Sequence, residues 1–119
     1  MQITDCLHTA IIVTNLERSE HFYGQILGLP KVERTMNFPG SWYQIGAYQV
    51  HLIVAPPRQQ PQHEKWGRNP HIAFSVANLE AAKQKLLENN CPIQLSASGR
   101  PALFTQDPDG NIIELGVIS

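Results

Sequence analysis

The chain repeats one short pattern, and this repeat constrains the fold more than any other feature of the sequence. Leu7–Glu17 reads LHTAIIVTNLE and Pro70–Glu80 reads PHIAFSVANLE, with six of the eleven positions identical. The same spacing of 63 residues relates AYQVHLIVA, at Ala47–Ala55, to GNIIELGVI, at Gly110–Ile118. Because two separate matches share one spacing, we predict that the 119 residues form two copies of one structural module.

Each copy has the pattern of one strand, one helix and three further strands. An opening strand rich in Ile, Val, Phe and Ala is followed by Asn15 or Asn78, whose amide oxygen can cap a helix. The predicted helices span 16–27 and 79–89. The predicted strands span 7–13, 31–35, 41–45 and 49–54 in the first copy and 72–76, 93–96, 102–106 and 112–117 in the second. The predicted fold class is therefore α+β, with two βαβββ modules in tandem.

The two predicted modules are expected to form a single domain. Module one covers about 3–55 and module two about 70–118, and a polar, proline-containing linker at 56–69 joins them. The linker is either a plain connection or a loop that borders a site. A module of this size buries little apolar surface alone, so we expect the two halves to pack together.

Composition excludes several classes of protein. Nine Lys and Arg residues oppose ten Asp and Glu residues without a basic block, so we expect no nucleic-acid binding. No apolar run approaches the roughly 20 residues that cross a bilayer, and residues 1–7 lack the features of a secretory signal. Cys6 and Cys91 form no CxxC motif, so we expect free thiols and a cytoplasmic protein.

Four residues with metal-binding side chains stand at equivalent positions of the two copies. His8 corresponds to His71 near the first strands, and His51 corresponds to Glu114 in the last strands. A pseudo-twofold relation between the copies would bring three imidazoles and one carboxylate together, a donor set that suits Zn, Ni, Co, Mn or Fe(II). A single strand histidine is more often a hydrogen-bonded core residue. Burial of Glu114 between Ile and Leu is costly without a partner, however, which favours a metal ion.

These motifs resemble the vicinal oxygen chelate superfamily, and in particular its glyoxalase-like branch. The superfamily includes glyoxalase I, methylmalonyl-CoA epimerase, extradiol dioxygenases, and fosfomycin- and bleomycin-resistance proteins. The resemblance covers nearly the whole chain and is carried by LHTAIIVTNLERSEHFYGQILGL, YQVHLIV, PHIAFSV and DPDGNIIEL. It implies a cupped mixed sheet around one divalent metal, which binds two vicinal oxygens of a small-molecule substrate. It also implies a homodimer, with the site inside one chain or shared by two.

The ligand positions of glyoxalase I-like members correspond here to His8, His51, His71 and Glu114. The second position is commonly a glutamate in those members, so His51 leaves this chain with one carboxylate in the set. Bleomycin-binding members generally lack these ligands.

Three further positions depart from particular branches of the superfamily. Glutathione-dependent glyoxalases tend to carry Arg and Asn where this chain has Ile12 and Ala55, which argues against a glutathione adduct as the substrate. Extradiol dioxygenases usually carry a Tyr where this chain has Phe104. They also usually have four modules rather than two.

The resemblance favours a metal-dependent lyase or isomerase of the glyoxalase type, in which Glu114 is both a metal ligand and the base that removes an α-proton. One alternative is an Fe(II) ring-cleaving dioxygenase-like enzyme that uses His8, His71 and Glu114 as ligands. Another is a non-catalytic small-molecule-binding or drug-binding resistance protein. The candidate substrate contacts are Arg100, Trp42 and Phe104, although each is also explained as an ordinary surface or core residue.

Overall fold

Two mixed sheets of four strands contain most of the regular structure. The computed structural model describes residues 1–34, 37–57 and 62–118, and the chain divides into the units Met1–Arg58 and Gln59–Ser119. Each unit contains one sheet and one long helical segment. The α+β class and the two βαβββ modules predicted from the repeat are confirmed.

The elements of both modules begin and end close to their predicted limits. The first module contains β1 (His8–Val13), α1 (Leu16–Glu20), a π-helix (His21–Ile26), β2 (Lys31–Val32), β3 (Gly40–Ile45) and β4 (Tyr48–Val54). The second contains a 3-10 helix (Trp66–Arg68), β5 (His71–Ser75), α2 (Leu79–Glu88), β6 (Ile93–Leu95), β7 (Ala102–Gln106) and β8 (Ile112–Gly116). None of the helices in the described ranges is long and apolar enough to span a bilayer.

The first and last strands of each module lie side by side and run parallel. The strand order is β1-β4-β3-β2 in one sheet and β5-β8-β7-β6 in the other, and all the remaining pairs are antiparallel. In this register Ala10 lies beside His51, and Ala73 lies beside Glu114, which preserves the spacing of 63 residues. The inner strands follow a spacing of 62, since Trp42 pairs with His51 and Phe104 pairs with Glu114.

The missing residue in that spacing is located in the helices. The two helices start 63 residues apart, at Leu16 and Leu79, but the left-handed residues that follow them, Gly28 and Asn90, are 62 apart. The first helix absorbs its additional residue as a π segment, in which the Leu27 N–H donates to the Phe22 carbonyl five residues earlier at 2.9 Å. The predicted helix over 16–27 is therefore right in extent and wrong in type after Glu20.

Asparagine caps start both helices, as their spacing predicts. The Asn15 side chain accepts from the Arg18 N–H and the Asn78 side chain from the Ala81 N–H, each at 2.9 Å. Asn90 ends the second helix with φ of 58°, a left-handed conformation that asparagine tolerates.

Alternate residues of each sheet separate a core face from an open face. In the first module Tyr43, Val50 and Leu52 are buried on the core face, together with Phe22 and Tyr23 of the π-helix. In the second module the core-face strand residues Leu103, Ile113 and Leu115 are buried with Leu86 of α2. Leu87 was expected on the same helix face but is 49% exposed, so that prediction is wrong.

A carboxylate connects the first helix to its sheet. Glu20 accepts a hydrogen bond from the Ser41 hydroxyl at 2.7 Å and pairs with Lys31. Burial raises the pKa of Glu20, but the hydrogen bonds from Lys31 and Ser41 and the charge of Lys31 outweigh burial, and the pKa is lowered. Glu20 beside the buried Tyr43 phenol adds to the effect of burial and raises the pKa of Tyr43 to about 12.

The segments between strands differ most from expectation. β2 ends at Val32 instead of at residue 35, and Thr35 lies outside the described residues. Residues 58–61 of the predicted linker also lie outside them. The described remainder of the linker contains the unpredicted 3-10 helix, which Asn69 stabilises by accepting from the His63 N–H at 2.7 Å and donating to the Trp66 carbonyl at 3.1 Å.

The second helix cap can be tested by mutation. Asn78→Ala removes the side-chain acceptor for the Ala81 N–H and should lower the free energy of unfolding by about 1 kcal/mol, measured by urea denaturation. Asn78→Gly should cost only a few tenths of a kcal/mol, because glycine is also favoured at this position. An alanine variant as stable as the parent would contradict a stabilising cap.

Candidate functional site

Three aromatic rings stack across the open face of the first sheet. The His51 ring on β4 lies between His8 on β1 and Trp42 on β3, with ring centroids 4.1 and 4.2 Å away and planes within 13° and 9° of parallel. The register places these strands side by side, since β4 pairs with both β1 and β3. Two of the predicted metal ligands and one predicted substrate contact are therefore neighbours in this module.

A hydrogen-bond chain orients the His51 ring. The Gly46 carbonyl can only accept, so it takes a bond from the Gln44 amide nitrogen at 2.8 Å, which leaves the Gln44 oxygen to accept from Gln49 at 2.7 Å. The Gln49 oxygen then faces His51 Nε2 at 2.8 Å. This assignment makes His51 Nε2 the proton donor and leaves Nδ1 as the free acceptor of the neutral ring.

The surroundings of His51 favour its neutral form. Partial burial lowers the pKa of His51, and the nearby His8 and Arg34 side chains lower it further. A neutral imidazole is the form that binds a metal ion.

The second module brings His71 and Glu114 into direct contact. His71 Nε2 is 3.1 Å from Glu114 Oε1, and the other ring nitrogen, Nδ1, is 2.7 Å from the Asn69 carbonyl. Since a carbonyl only accepts, Nδ1 carries a proton, and a neutral ring then points a lone pair at the carboxylate. Two acceptors this close need a positive charge between them, either a proton on Nε2 or a metal ion.

Phe104 and Arg100 border the pair formed by His71 and Glu114. The Phe104 ring meets the His71 ring edge-on, with centroids 5.5 Å apart and planes at 86°. Arg100 Nη2 lies 3.6 Å from Glu114 Oε2, and Arg100 Nε donates to the Ser98 hydroxyl at 3.1 Å. The Arg100 side chain is 58% exposed, so this ion pair contributes little to stability.

The predicted site residues thus form two corresponding groups. His8, His51 and Trp42 lie together in the first module, and His71, Glu114, Phe104 and Arg100 lie together in the second. Across residues 1–34, 37–57 and 62–118, no group of three or more His, Cys, Asp or Glu side chains is close enough to hold a metal ion. A four-ligand centre therefore stays a prediction.

The donor chemistry nevertheless fits a divalent metal. His71 presents Nε2 while its Nδ1 is held by a backbone carbonyl, the arrangement typical of metal-binding histidines. Glu114 supplies an anionic oxygen beside it. His8 and His51 add neutral nitrogen donors, although His51 must either use Nδ1 or release Gln49 before Nε2 is free.

Sequence reasoning missed two features of the first module. Gln49 holds His51, and it shares a face with that residue by strand alternation, so the pattern contains a signal for it. Arg34 follows β2 in a segment without periodicity, and no sequence signal places it near His51.

Comparison with known proteins places the chain among glyoxalase-like proteins. Residues 6–115 match the Glyoxalase/Bleomycin resistance protein/Dioxygenase superfamily. The chain is 32% identical to the uncharacterized protein YwkD of Bacillus subtilis, with 91% of this chain and 92% of that protein covered. It is 31% identical to lactoylglutathione lyase of Escherichia coli O157:H7, with 92% and 89% covered. Human mitochondrial methylmalonyl-CoA epimerase is 29% identical, with 91% and 70% covered.

Solved structures show the same fold. A glyoxalase/dioxygenase from Nostoc punctiforme matches with a TM-score of 0.78 and 25% identity, over 93% of this chain and 88% of that one. Lactoylglutathione lyase from Agrobacterium tumefaciens matches with a TM-score of 0.71 and 19% identity, over 98% and 96%. The family resemblance drawn from the motifs is therefore confirmed.

The environment of His51 predicts a measurable titration. We expect NMR titration of its ring protons to give a pKa below the ordinary 6.5, and Arg34→Gln should raise that pKa by removing one of the causes. Between the lowered pKa and 6.5, the folded chain binds fewer protons at His51 than the unfolded chain, so this residue's contribution to stability falls as pH drops. Lys83→Gln in α2 is the control, and an equal rise there would contradict the assignment to Arg34.

Proposed function

This chain belongs to the Glyoxalase/Bleomycin resistance protein/Dioxygenase superfamily, and on that premise we propose that it is a metal-dependent lyase or isomerase of the glyoxalase type. Its substrate would be a small molecule with two vicinal oxygens, and not a glutathione adduct. The main support is the contact between His71 Nε2 and Glu114 Oε1, two acceptors at 3.1 Å that require a positive charge between them.

The proposed ligands are the four residues at equivalent strand positions, His8, His51, His71 and Glu114, from one chain or from two chains of a homodimer. When bound there, a divalent metal polarises a carbonyl and its neighbouring hydroxyl and so acidifies the proton on the carbon between them. Zn, Ni, Co, Mn and Fe(II) all accept this set of nitrogen and oxygen donors.

Glu114 is the proposed base. It is the one carboxylate among the four proposed ligands, and its two oxygens face different partners, His71 and Arg100. A carboxylate within reach of the α-proton accepts it on one oxygen and returns it to the adjacent carbon, which achieves isomerisation. Arg100, 3.6 Å from Glu114 Oε2, favours the ionised form that can accept the proton.

The aromatic residues are proposed to contact the substrate. Trp42 and Phe104 occupy corresponding places beside His51 and Glu114, where flat rings give a small ligand an apolar surface. Ile12 and Ala55 offer no charged or amide group to a glutathione moiety, which is why the proposal excludes that adduct. Relatives named lactoylglutathione lyase make such an adduct the first compound to test against the proposal.

Metal content tests the proposed centre. Protein purified without added metal should contain about one divalent ion per chain by elemental analysis. His71→Ala should lose most of it, because the variant removes a nitrogen ligand and the partner of Glu114. His63→Ala, at an exposed residue of the linker, is the matched control and should keep the metal.

The metal measurements also distinguish the proposed function from its alternatives. Tightly bound Fe(II) together with oxygen consumption on catechols would replace the proposed reaction with ring cleavage. Ligand binding that survives chelation without any turnover would indicate a binding protein.

Glu114→Gln tests the base. The metal-loaded protein should exchange the α-protons of hydroxyacetone or a related α-hydroxy carbonyl compound with D2O, followed by NMR. The variant should exchange them about 10²–10⁴ times more slowly, because the amide cannot take the proton. Full exchange activity in a folded, metal-containing Glu114→Gln variant would exclude Glu114 as the base.

A further inference from the structure

Arg34 is held in place just after β2. Its Nη1 donates to the Phe38 carbonyl at 2.7 Å, and its guanidinium carbon lies 4.9 Å from the centroid of the Phe38 ring. A hydrogen bond and a cation–π contact to one residue fix the plane of the guanidinium.

The other edge of the guanidinium has no partner. Nε and Nη2 of Arg34 are buried, and neither has a hydrogen-bond partner among the residues that the structure describes. In a guanidinium, Nε–H and the neighbouring Nη2–H point the same way and form the fork that binds both oxygens of a carboxylate. Buried charged donors without an acceptor are costly, so this edge is suited to an anion supplied from outside.

This fork lies close to the stacked rings of the first module. Arg34 Nη2 is 3.3 Å from the place where a Cβ on Gly40 would sit, and Gly40 is two residues before Trp42 on β3. The positive charge of Arg34 also acts on His51. Glu20, which bonds to Ser41 and Lys31, belongs to the core face instead, because Ser41 and the strand partner of Lys31, Tyr43, are buried there.

We propose that Arg34 binds a carboxylate of the substrate through Nε and Nη2. This inference rests on the proposed function and narrows its substrate class to small α-hydroxy carbonyl compounds that also carry a separate carboxylate. The vicinal oxygens and the carboxylate are then recognised by different groups of the protein. Because both nitrogens are covered in the free protein, the long Arg34 side chain turns outward to admit the anion.

The first test needs no metal. In 15N-labelled, metal-free protein the Arg34 Nε–H signal is assigned by its loss in Arg34→Gln, and the parent protein is then titrated with succinate or with the neutral analogue succinamide. We expect succinate to shift this signal and succinamide to leave it unchanged. Arg68→Gln, which alters an arginine of the other module, should preserve the succinate shift. An Arg34 signal that ignores succinate overturns the inference.

The second test uses Zn-loaded protein and two chelators that present the same vicinal oxygens. Succinohydroxamate carries an additional carboxylate, and butyrohydroxamate does not. Calorimetry should show at least about tenfold tighter binding of succinohydroxamate, the effect of one charged hydrogen-bonded pair. Arg34→Gln should abolish this preference and Arg34→Lys should keep part of it, with circular dichroism confirming that both variants are folded.

The outcomes separate this inference from the proposed function. If both hydroxamates bind with equal affinity, the metal centre stands and the role of Arg34 is wrong. If neither binds while succinate still shifts the Arg34 signal, the anion site stands and the metal-dependent function is wrong.

Discussion

The site depends on parallel pairing between the first and last strands of each module. This pairing sets His51 one strand away from His8 in the first sheet, and Glu114 one strand away from His71 in the second. A register shifted by one residue would turn these side chains from the open face to the buried core face. The apolar alternation that builds the core therefore also positions the polar groups of the site.

The two modules use the same strand positions for different chemistry. In the first module stacked neutral rings face one another, and a glutamine chain decides which nitrogen of His51 carries the proton. In the second module a carboxylate replaces the middle ring, so that the charge of Glu114 must be balanced by His71, Arg100 or a bound cation. Duplication supplied the geometry, and single substitutions made one half nitrogen-rich and the other anionic.

Much of the fold could be predicted because the responsible signals are local and repeated. Strand alternation, the Asn15 and Asn78 caps and the left-handed terminators each act within a few residues. The π-helix could not be predicted, because the periodicities of apolar residues in α- and π-helices are too alike over two turns. The pairs of neighbours in the site followed from the repeat. The roles of Gln49 and Arg34 did not, since they depend on hairpin register and on a loop without periodicity.

The π segment has an evolutionary consequence. A residue inserted into a strand would reverse every side chain beyond it, whereas a residue inserted into the helix between β1 and β2 is taken up as one wider turn. Both strands that flank the insertion keep their facing, and the cost is confined to a few main-chain hydrogen bonds. The helical connection is thus the part of the duplicated module where length can drift while the sheet stays under selection.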